Sequence, residues 1–311
     1  MGQAYQEETG QAIQMVPLTT GQALSRLEAE KAQPTVDVWW GGTGELHLQA
    51  AAQGLTVARK SHRLADLHPW AQRFAWVSGY RSVGIYTGIL GYTYDTEAWA
   101  STGLPAPRCW ADLLRPALQG RIQIADPRTS GTAYTFLTTQ LQLRKLSGGW
   151  PWLQAFHSQV GAYTRSGSAP IQAVRKGEAL VGVVFLHDAI AAASEDEAGT
   201  GTPAKLATVA PCEGTGYEIG GMSLVLNGPK PDAAWRFYEF ALSPAAQELA
   251  VTVGAFQTQS NKQVPVPAAA PKLGDTKLIN NRILIYSDPA MRKGLLETWA
   301  QMTAKPQPPS R

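Results

Sequence analysis

The sequence predicts an α/β protein with largely parallel sheets, on three observations. Short β-rich runs alternate with helical stretches along the chain, a pattern typical of strand–helix–strand units. The run 179–186 is almost continuously apolar, which is typical of a strand buried on both faces. The chain has 311 residues, 44% of them apolar, and this length is typical of about two domains.

Local signals place the individual elements. Ser130, Gly131 and Thr132 are predicted to cap a helix. The low-complexity stretch 191–202 is predicted to be a solvated loop, and the proline-rich tail 305–311 to be disordered. Strands are predicted at 36–40, 121–125, 179–186 and 222–226, and helices at 45–53, 133–146, 170–176 and 231–242.

Two further segments have the features of crossings between two lobes. The first, 83–94, is one long β-type stretch interrupted by Gly88 and Gly91, and the second, 214–221, contains four glycines before a strand. Paired strands of this kind suit a lobe inserted into another lobe, with hinge residues that absorb backbone rotation. The alternative is that these glycines only permit bulges or close packing.

Composition excludes several classes of protein. Charged residues make up 16% of the chain and the net charge is +3, without the clustered basic stripe of a nucleic-acid-binding protein. No apolar run approaches the ~20 residues that span a bilayer. No signal-peptide pattern is apparent at the start of the sequence, so a mature, trimmed or misassigned start is expected if the protein is exported. Cys109 and Cys212 lie far apart, and either a disulfide or two buried thiols fits the sequence.

No motif for catalysis or metal binding is present. The sequence lacks GxSxG, HExxH and Walker A motifs, and its five histidines include no i,i+4 pair. The segment 214–220 has the spacing GxGxxxG and precedes a strand, so it does not match the dinucleotide-binding fingerprint. We therefore predict no catalytic residue, no cofactor and no metal ligand.

Small, hydroxylated loops follow several predicted strands, at 42–44, 130–132 and 166–168. The first N–H groups of a helix lack partners and the helix dipole is positive there, so an anion is stabilised at such a position. Each loop alone is more often an ordinary helix cap. Three of them in one α/β chain favour an anion site, because ligands bind at the carboxyl ends of the strands.

A second candidate cluster is polar. His187 and Asp188 end the most apolar predicted strand, and Glu218 lies in the second crossing segment. Carboxylates and imidazoles can bind sugar hydroxyls or phosphate oxygens. The alternative is that Asp188 caps the following helix and Glu218 is a solvated loop residue.

Four motifs in one order resemble a known family. They are 38–44 (VWWGGTG), 125–134 (ADPRTSGTAY), 185–188 (FLHD) and 211–220 (PCEGTGYEIG). Together they resemble the periplasmic substrate-binding proteins of ABC importers, in the cluster that includes ferric-iron carriers. The likeness covers about 5–302 and is strongest to the Afu-type branch, whose members bind hexose phosphates.

The resemblance implies a two-lobed, type II periplasmic-binding-protein-like fold, with mixed, largely parallel sheets and a ligand cleft between the lobes. It divides the chain into a discontinuous lobe 1 (1–88 and 220–311) and an inserted lobe 2 (89–219). It also implies a periplasmic protein without enzyme activity or cofactor. Its partners are a small anionic ligand and an ABC permease at the inner membrane, and not a nucleic acid.

The resemblance also assigns binding roles. Gly42, Thr43, Ser130, Gly131 and Thr132 are expected near the phosphate, joined by Ser166, Gly167 and Ser168, while His187, Asp188 and Glu218 are expected to hold sugar hydroxyls, and Tyr217 is a further ligand-binding candidate. Ferric ion is the alternative ligand. Iron-binding relatives use a tyrosine pair, whereas here one tyrosine precedes a glutamate. A phosphate-ester-processing enzyme is disfavoured because no nucleophile–base pair is apparent.

One departure from the family concerns the start of the chain. Such proteins begin with an exported leader and a first strand that contributes to the ligand site. Residues 4–10 resemble the end of the helix that follows that strand. Leader and first strand are therefore expected to be absent from this chain, with the loss of part of the phosphate site.

Overall fold

The computed structural model describes residues 1–304, so the predicted disordered tail lies outside the described residues. The helices are α1 Gly2–Thr9, α2 Thr20–Ala29, α3 Gly44–Ala52, α4 Pro69–Val77, α5 Thr96–Ala100, α6 Gly131–Leu143, α7 Lys145–His157, α8 Ala169–Arg175, α9 Leu186–Thr200, α10 Pro231–Ala241, α11 Pro244–Thr252, α12 Ile283–Tyr286 and α13 Pro289–Thr303. The strands are β1 Val38–Thr43, β2 Val83–Asp95, β3 Ile122–Ala125, β4 Val160–Thr164, β5 Val181–Phe185, β6 Leu206–Val209, β7 Tyr217–Leu224 and β8 Thr258–Gln259. Every helix in this range is too short or too polar to cross a membrane.

The chain divides into two compact units. Unit 1 comprises Met1–Thr87 and Ile219–Ala270, and unit 2 comprises Gly88–Glu218 together with the chain from Pro271 to the last described residue. The expected lobe 1 included 271–304, and this part of the prediction is wrong. The reason is packing, since apolar residues of that segment belong to the core of unit 2: Tyr286, Leu295 and Trp299.

Unit 1 packs its helices against antiparallel strand pairs. β1 pairs with β7, and the short β8 pairs with β2. One face of these strands is covered by α4 and α10, and α2 and α3 pack beside β1. The buried side chains shared by these elements include Leu67, Ala71, Val83, Ile85, Met222, Leu224, Ala234 and Tyr238. Their burial is the main source of stability of this unit.

Unit 2 holds strands in the order β2-β5-β3-β4, with β6 also paired to β2. β3 pairs in parallel with β4 and with β5, whereas β2 pairs antiparallel with β5 and β6. The α/β architecture with a mixed sheet is confirmed. The antiparallel share is larger than expected, because the long strand β2 runs against both of its neighbours in this unit.

The acidic stretch 191–202 is mostly helix and not the predicted loop. Alanines at 191–193 favour helix, and α9 continues through Thr200. Arg175 stabilises this part of the helix by pairing with Glu195 at 3.6 Å and with Asp196. Gly201 then ends α9 in the left-handed conformation, with φ of 67°.

Cys109 and Cys212 form a disulfide within unit 2. Glu213 lies beside it, and its carboxylate accepts hydrogen bonds from the backbone N–H groups of Trp110 at 2.7 Å and Ala111 at 2.8 Å. The Trp110 indole N–H donates to the carbonyl of Gly214 at 3.1 Å. The bridge and these hydrogen bonds attach the segment before β7 to the turn that begins at Trp110.

Candidate ligand-binding site

Three of the predicted binding segments lie at one edge of the unit 2 sheet. The loop 130–132 follows β3, the loop 166–168 follows β4, and 187–188 follow β5. β3 pairs in parallel with both other strands, so the three carboxyl ends meet at the same edge. This edge is where open α/β sheets bind ligands.

The loop after β3 presents the start of a long helix. Ser130 is the N-cap of α6, and its Oγ accepts a hydrogen bond from the backbone N–H of Ala133 at 3.4 Å. The predicted cap is confirmed, although α6 begins at Gly131 and ends at Leu143. Thr132 lies buried in the first turn. The partial positive charge at this helix start favours an anion.

The loop after β4 reaches the same helix start through Gly167. A methyl group placed on Gly167 would lie 2.7 Å from Thr132 Cβ and 3.1 Å from Ser130 Oγ. Glycine is thus required for the close approach of the two loops. Ser166 and Ser168 flank Gly167, and their hydroxyls lie 3.3 Å apart. The structure therefore brings Ser130, Thr132 and Gly167 together, with Gly131 beside them in the chain.

The polar cluster after β5 is buried. His187 Nε2 lies 3.3 Å from Asp188 Oδ1 and 3.7 Å from Glu218 Oε1. The side chains of His187 and Glu218 are only 5% and 4% exposed, whereas that of Asp188 is 34% exposed. Glu218 belongs to β7 and is therefore not the solvated loop residue of the alternative interpretation. A buried carboxylate beside an imidazole is well placed to bind hydroxyl groups.

Tyr217 is the first residue of β7. It immediately precedes Glu218 on β7 and is half-buried. Successive side chains of a strand point to opposite faces. By this alternation Tyr217 is expected on the opposite face of β7 from Glu218, and its binding role remains a prediction.

In unit 1, Gly42 and Thr43 end β1 and do not form a separate loop. Gly41 and Gly42 have φ of 75° and 84°, and the pairing of β1 with β7 shifts between Trp40 and Thr43, which describes a bulge. The Thr43 Oγ1 is buried and has no hydrogen-bond partner within residues 1–304. A binding role for Gly42 and Thr43 stays a prediction.

His47 holds this bulge in place and was not among the predicted site residues. Its Nε2 lies 3.0 Å from the Gly41 carbonyl, and its Nδ1 lies 2.7 Å from Ser223 Oγ. Burial lowers the pKa of His47 to about 4, against the opposing effect of the Gly41 hydrogen bond. A carbonyl only accepts, so the neutral ring carries its proton on Nε2 and accepts the Ser223 hydroxyl proton at Nδ1.

The buried neutral state of His47 makes stability depend on pH. The pKa is about 4 in the folded protein, below the ordinary 6.5, so the unfolded chain binds the proton first. The contribution is fully present above pH 6.5 and is lost as pH falls toward 4. We expect the free energy of unfolding to fall by about 2 kcal/mol from this group on going to about pH 5. Urea unfolding of wild type and of His47→Gln, each above pH 6.5 and at about pH 5, measures this fall. Equal falls in the free energy of unfolding of the two proteins would contradict the prediction.

Two other residues near the unit 1 bulge were missed in the sequence. Thr20, at the start of α2, has its Oγ1 2.8 Å from a methyl group placed on Gly42. The ring of Tyr86 lies against Gly220, and its hydroxyl lies 3.8 Å from a methyl group placed on Gly41. In the sequence, the signal for these contacts is the presence of glycines within predicted strands, because such glycines mark the close approach of another group.

Side chains that could bind a metal ion together are rarely close to one another in the part of the chain that the structure describes. The single group of three potential ligands there is Cys109, Cys212 and Glu213. The two sulfurs are joined to each other, so neither is a thiolate that could bind a metal ion.

Comparison with known proteins identifies the family. A family model described as bacterial extracellular solute-binding protein matches residues 28–283. A protein of Haemophilus influenzae (strain ATCC 51907 / DSM 11121 / KW20 / Rd), described as uncharacterized, is 39% identical over 284 residues, which are 91% of this chain and 80% of that protein.

Solved structures support the same family. The periplasmic binding protein AfuA from Actinobacillus pleuropneumoniae, with exogenous fructose-6-phosphate bound, is 36% identical with a TM-score of 0.92, over 98% of this chain and 94% of that one. The periplasmic binding protein P5PA is 28% identical with a TM-score of 0.90, over 97% of this chain and 94% of that one. Structures of iron-binding proteins match at 12–18% identity, which shows the fold alone.

These matches confirm the predicted type II periplasmic-binding-protein-like fold. The proteins of this family bind solutes and are not enzymes. Membership implies a small-molecule ligand and an ABC permease as partners. The chain belongs to the bacterial extracellular solute-binding proteins and, within them, to the Afu-type branch of solute-binding components of ABC importers.

Proposed function

We propose that this protein captures a phosphorylated hexose, or a related organophosphate, in the periplasm and delivers it to a permease of the inner membrane. The observation that carries the proposal is the meeting of three strand ends in unit 2. There a helix start lined by Ser130, Thr132 and Gly167 and a buried pair, His187 and Glu218, lie at one sheet edge. One part suits an anion and the other suits hydroxyl groups.

The start of α6 forms the phosphate part. The helix has 13 residues, which is long enough for its dipole to favour a negative charge at the first turn. The hydroxyls of Ser130 and Thr132 and the backbone N–H groups of Gly131 and Thr132 are short donors for phosphate oxygens, whereas the Ser130 N–H already donates to the Asp126 carbonyl at 2.9 Å. Gly167 lets the loop after β4 pack against this helix start, and Ser166 and Ser168 offer further hydroxyls.

The buried pair and Asp188 form the sugar part. A carboxylate such as that of Glu218 accepts hydrogen bonds from sugar hydroxyls, and charge-assisted bonds of this kind are stronger than neutral ones. His187 either donates to or accepts from a hydroxyl, according to its tautomer. Selectivity for a sugar phosphate over free phosphate arises here, because phosphate alone makes no use of these groups.

The similarity to AfuA supports the same ligand class. AfuA has fructose-6-phosphate bound and is 36% identical to this chain. The ferric-iron alternative lacks comparable support, since structures of iron-binding proteins match at only 12–18% identity and Tyr217 is followed by a glutamate and not by a second tyrosine.

Calorimetric titration of the ligand-stripped protein with fructose-6-phosphate, inorganic phosphate and ferric citrate tests the proposal. We expect fructose-6-phosphate to bind at least ~10-fold more tightly than phosphate, because the sugar adds several charge-assisted hydrogen bonds. Ferric citrate should give neither heat nor a visible charge-transfer band. A coloured ferric complex without sugar-phosphate binding would replace this proposal by an iron-carrier function.

The phosphate part makes a separate prediction. In Gly167→Ala the new methyl group overlaps Thr132 and separates the two loops, so affinities for fructose-6-phosphate and for phosphate should both fall by ~10-fold, equivalent to the loss of about one good hydrogen bond. Titration with both ligands measures this. Gly199→Ala is the matched control, because Gly199 lies on α9 with open space around it. A loss of affinity for fructose-6-phosphate alone would show that the phosphate group binds away from Gly167.

A further inference from the structure

We infer that Gly88 is a positioning residue for sugar recognition: the absence of a side chain at this position lets the His187 imidazole lie beside Glu218. The inference rests on the proposed function and names the residue that sets selectivity for the sugar. Gly88 is part of unit 2 and lies on β2. It was noted in the sequence only as a break in a long strand.

Strand register places Gly88 opposite His187. β2 and β5 are antiparallel, with Leu90 opposite Phe185 and Gly91 opposite Val184. Two residues further in the same register, Gly88 faces position 187, where the chain has just turned from β5 into α9. Side chains at directly opposed positions of antiparallel strands are close neighbours, so the residue at 88 decides how much room His187 has.

Gly88 has two close neighbours, His187 and Glu218. A methyl group placed on it would overlap Nδ1 and Cε1 of the His187 ring and lie 3.3 Å from Glu218 Oε1. The ring has little freedom to withdraw, because it is 5% exposed and lies nearly parallel to the Phe185 ring, with centroids 5.7 Å apart. One glycine thus bounds the space in which imidazole and carboxylate approach each other.

The requirement for glycine is steric and not conformational. Gly88 does not adopt the left-handed backbone of glycines such as Gly41 and Gly42. Alanine at 88 therefore keeps the backbone of β2 and acts through the clash with His187 alone. The displaced imidazole leaves its place beside Glu218, while Ser130 and Thr132 on α6 are unaffected.

The test compares Gly88→Ala with wild type in two measurements. In titrations, the variant should lose ~10-fold in affinity for fructose-6-phosphate and change less than ~2-fold for inorganic phosphate. In NMR spectra of the ligand-free protein, the His187 ring resonances, assigned with His187→Gln, should shift in the variant. Gly199→Ala, in open space on the helix that carries His187, should match wild type in both.

A double variant separates a local clash from general damage. His187→Ala removes the ring that Gly88→Ala would strike, so Gly88→Ala/His187→Ala should bind fructose-6-phosphate no more weakly than His187→Ala. If the two losses multiply, Gly88 does not act through His187 and the inference is overturned. If Gly88→Ala does not fold, recovery of folding in the double variant supports the contact, and an unfolded double variant overturns it.

The outcomes also distinguish the inference from the proposed function. Wild type that binds fructose-6-phosphate while Gly88→Ala binds it equally well leaves the function standing and overturns the inference. Wild type that fails to bind the sugar phosphate overturns the function. In that case the His187 resonances still decide the positioning claim, because they need no ligand, and unshifted resonances would refute it.

Discussion

Replacing Glu218 by alanine should lower the affinity for fructose-6-phosphate by ~100-fold while leaving the affinity for inorganic phosphate within ~2-fold, since two charge-assisted hydrogen bonds are lost only with the sugar. The carboxylate is 4% exposed and lies 3.7 Å from His187 Nε2. A sugar hydroxyl that loses this acceptor in a buried place finds no water to replace it, which makes the loss large.

Two further variants make this prediction specific. Glu218→Gln keeps the shape and one acceptor oxygen but removes the charge, so it should fall between wild type and Glu218→Ala. Glu178→Ala is the control, because Glu178 is an exposed carboxylate of the same unit. Calorimetric titrations with both ligands compare the four proteins. Equal losses for fructose-6-phosphate and phosphate in Glu218→Ala would remove Glu218 from sugar recognition.

Loss of the disulfide should lower the free energy of unfolding by about 5 kcal/mol, as expected for a bridge that closes a loop of about 100 residues. Cys109 and Cys212 are separated by 103 positions in the chain. Without the bridge, the unfolded chain gains the freedom of this whole loop. The native contact itself is retained by the hydrogen bonds of Glu213 and Trp110, so the double variant Cys109→Ser/Cys212→Ser should fold at room temperature.

Urea unfolding with and without dithiothreitol measures this effect. Reduced wild type should match the double variant, and the double variant should not respond to dithiothreitol. Fructose-6-phosphate affinity reports whether the folded state is intact, because Glu218 follows the bridged segment by a few residues. Unchanged unfolding of wild type on reduction would show that the bridge does not restrain the unfolded chain.

The sequence predicted the contents of the candidate site better than its arrangement. Two binding segments, 130–132 and 187–188, were expected after buried strands. Each of them follows a strand, and the carboxyl ends of these strands meet at one edge of the sheet. Helix capping and apolar runs are local signals, readable within a few residues. Tyr217, by contrast, is a candidate from the motif alone, and its binding role stays a prediction.

Other errors have a common cause in long-range packing. The segment 271–304 has no local feature that assigns it to either unit, and its place was decided by the burial of Trp299 and neighbouring apolar residues in unit 2. Likewise the sequence of 191–202 alone predicts a solvated acidic loop. In the folded protein Arg175, which is distant in sequence, pairs with its carboxylates and stabilises a helix there. His47 was missed because its partner Ser223 comes from far along the chain.

The α/β class, the main strands and helices, the cap at Ser130 and the family can be predicted from the sequence, because these depend on residues adjacent in the chain or on their order. The disulfide, the unit to which the C-terminal helices belong, the burial of Glu218 beside His187 and the close approach of Gly88 become known from the folded structure. Each of these is a contact between residues far apart in sequence, and such contacts follow from strand register and core packing, which no local pattern specifies.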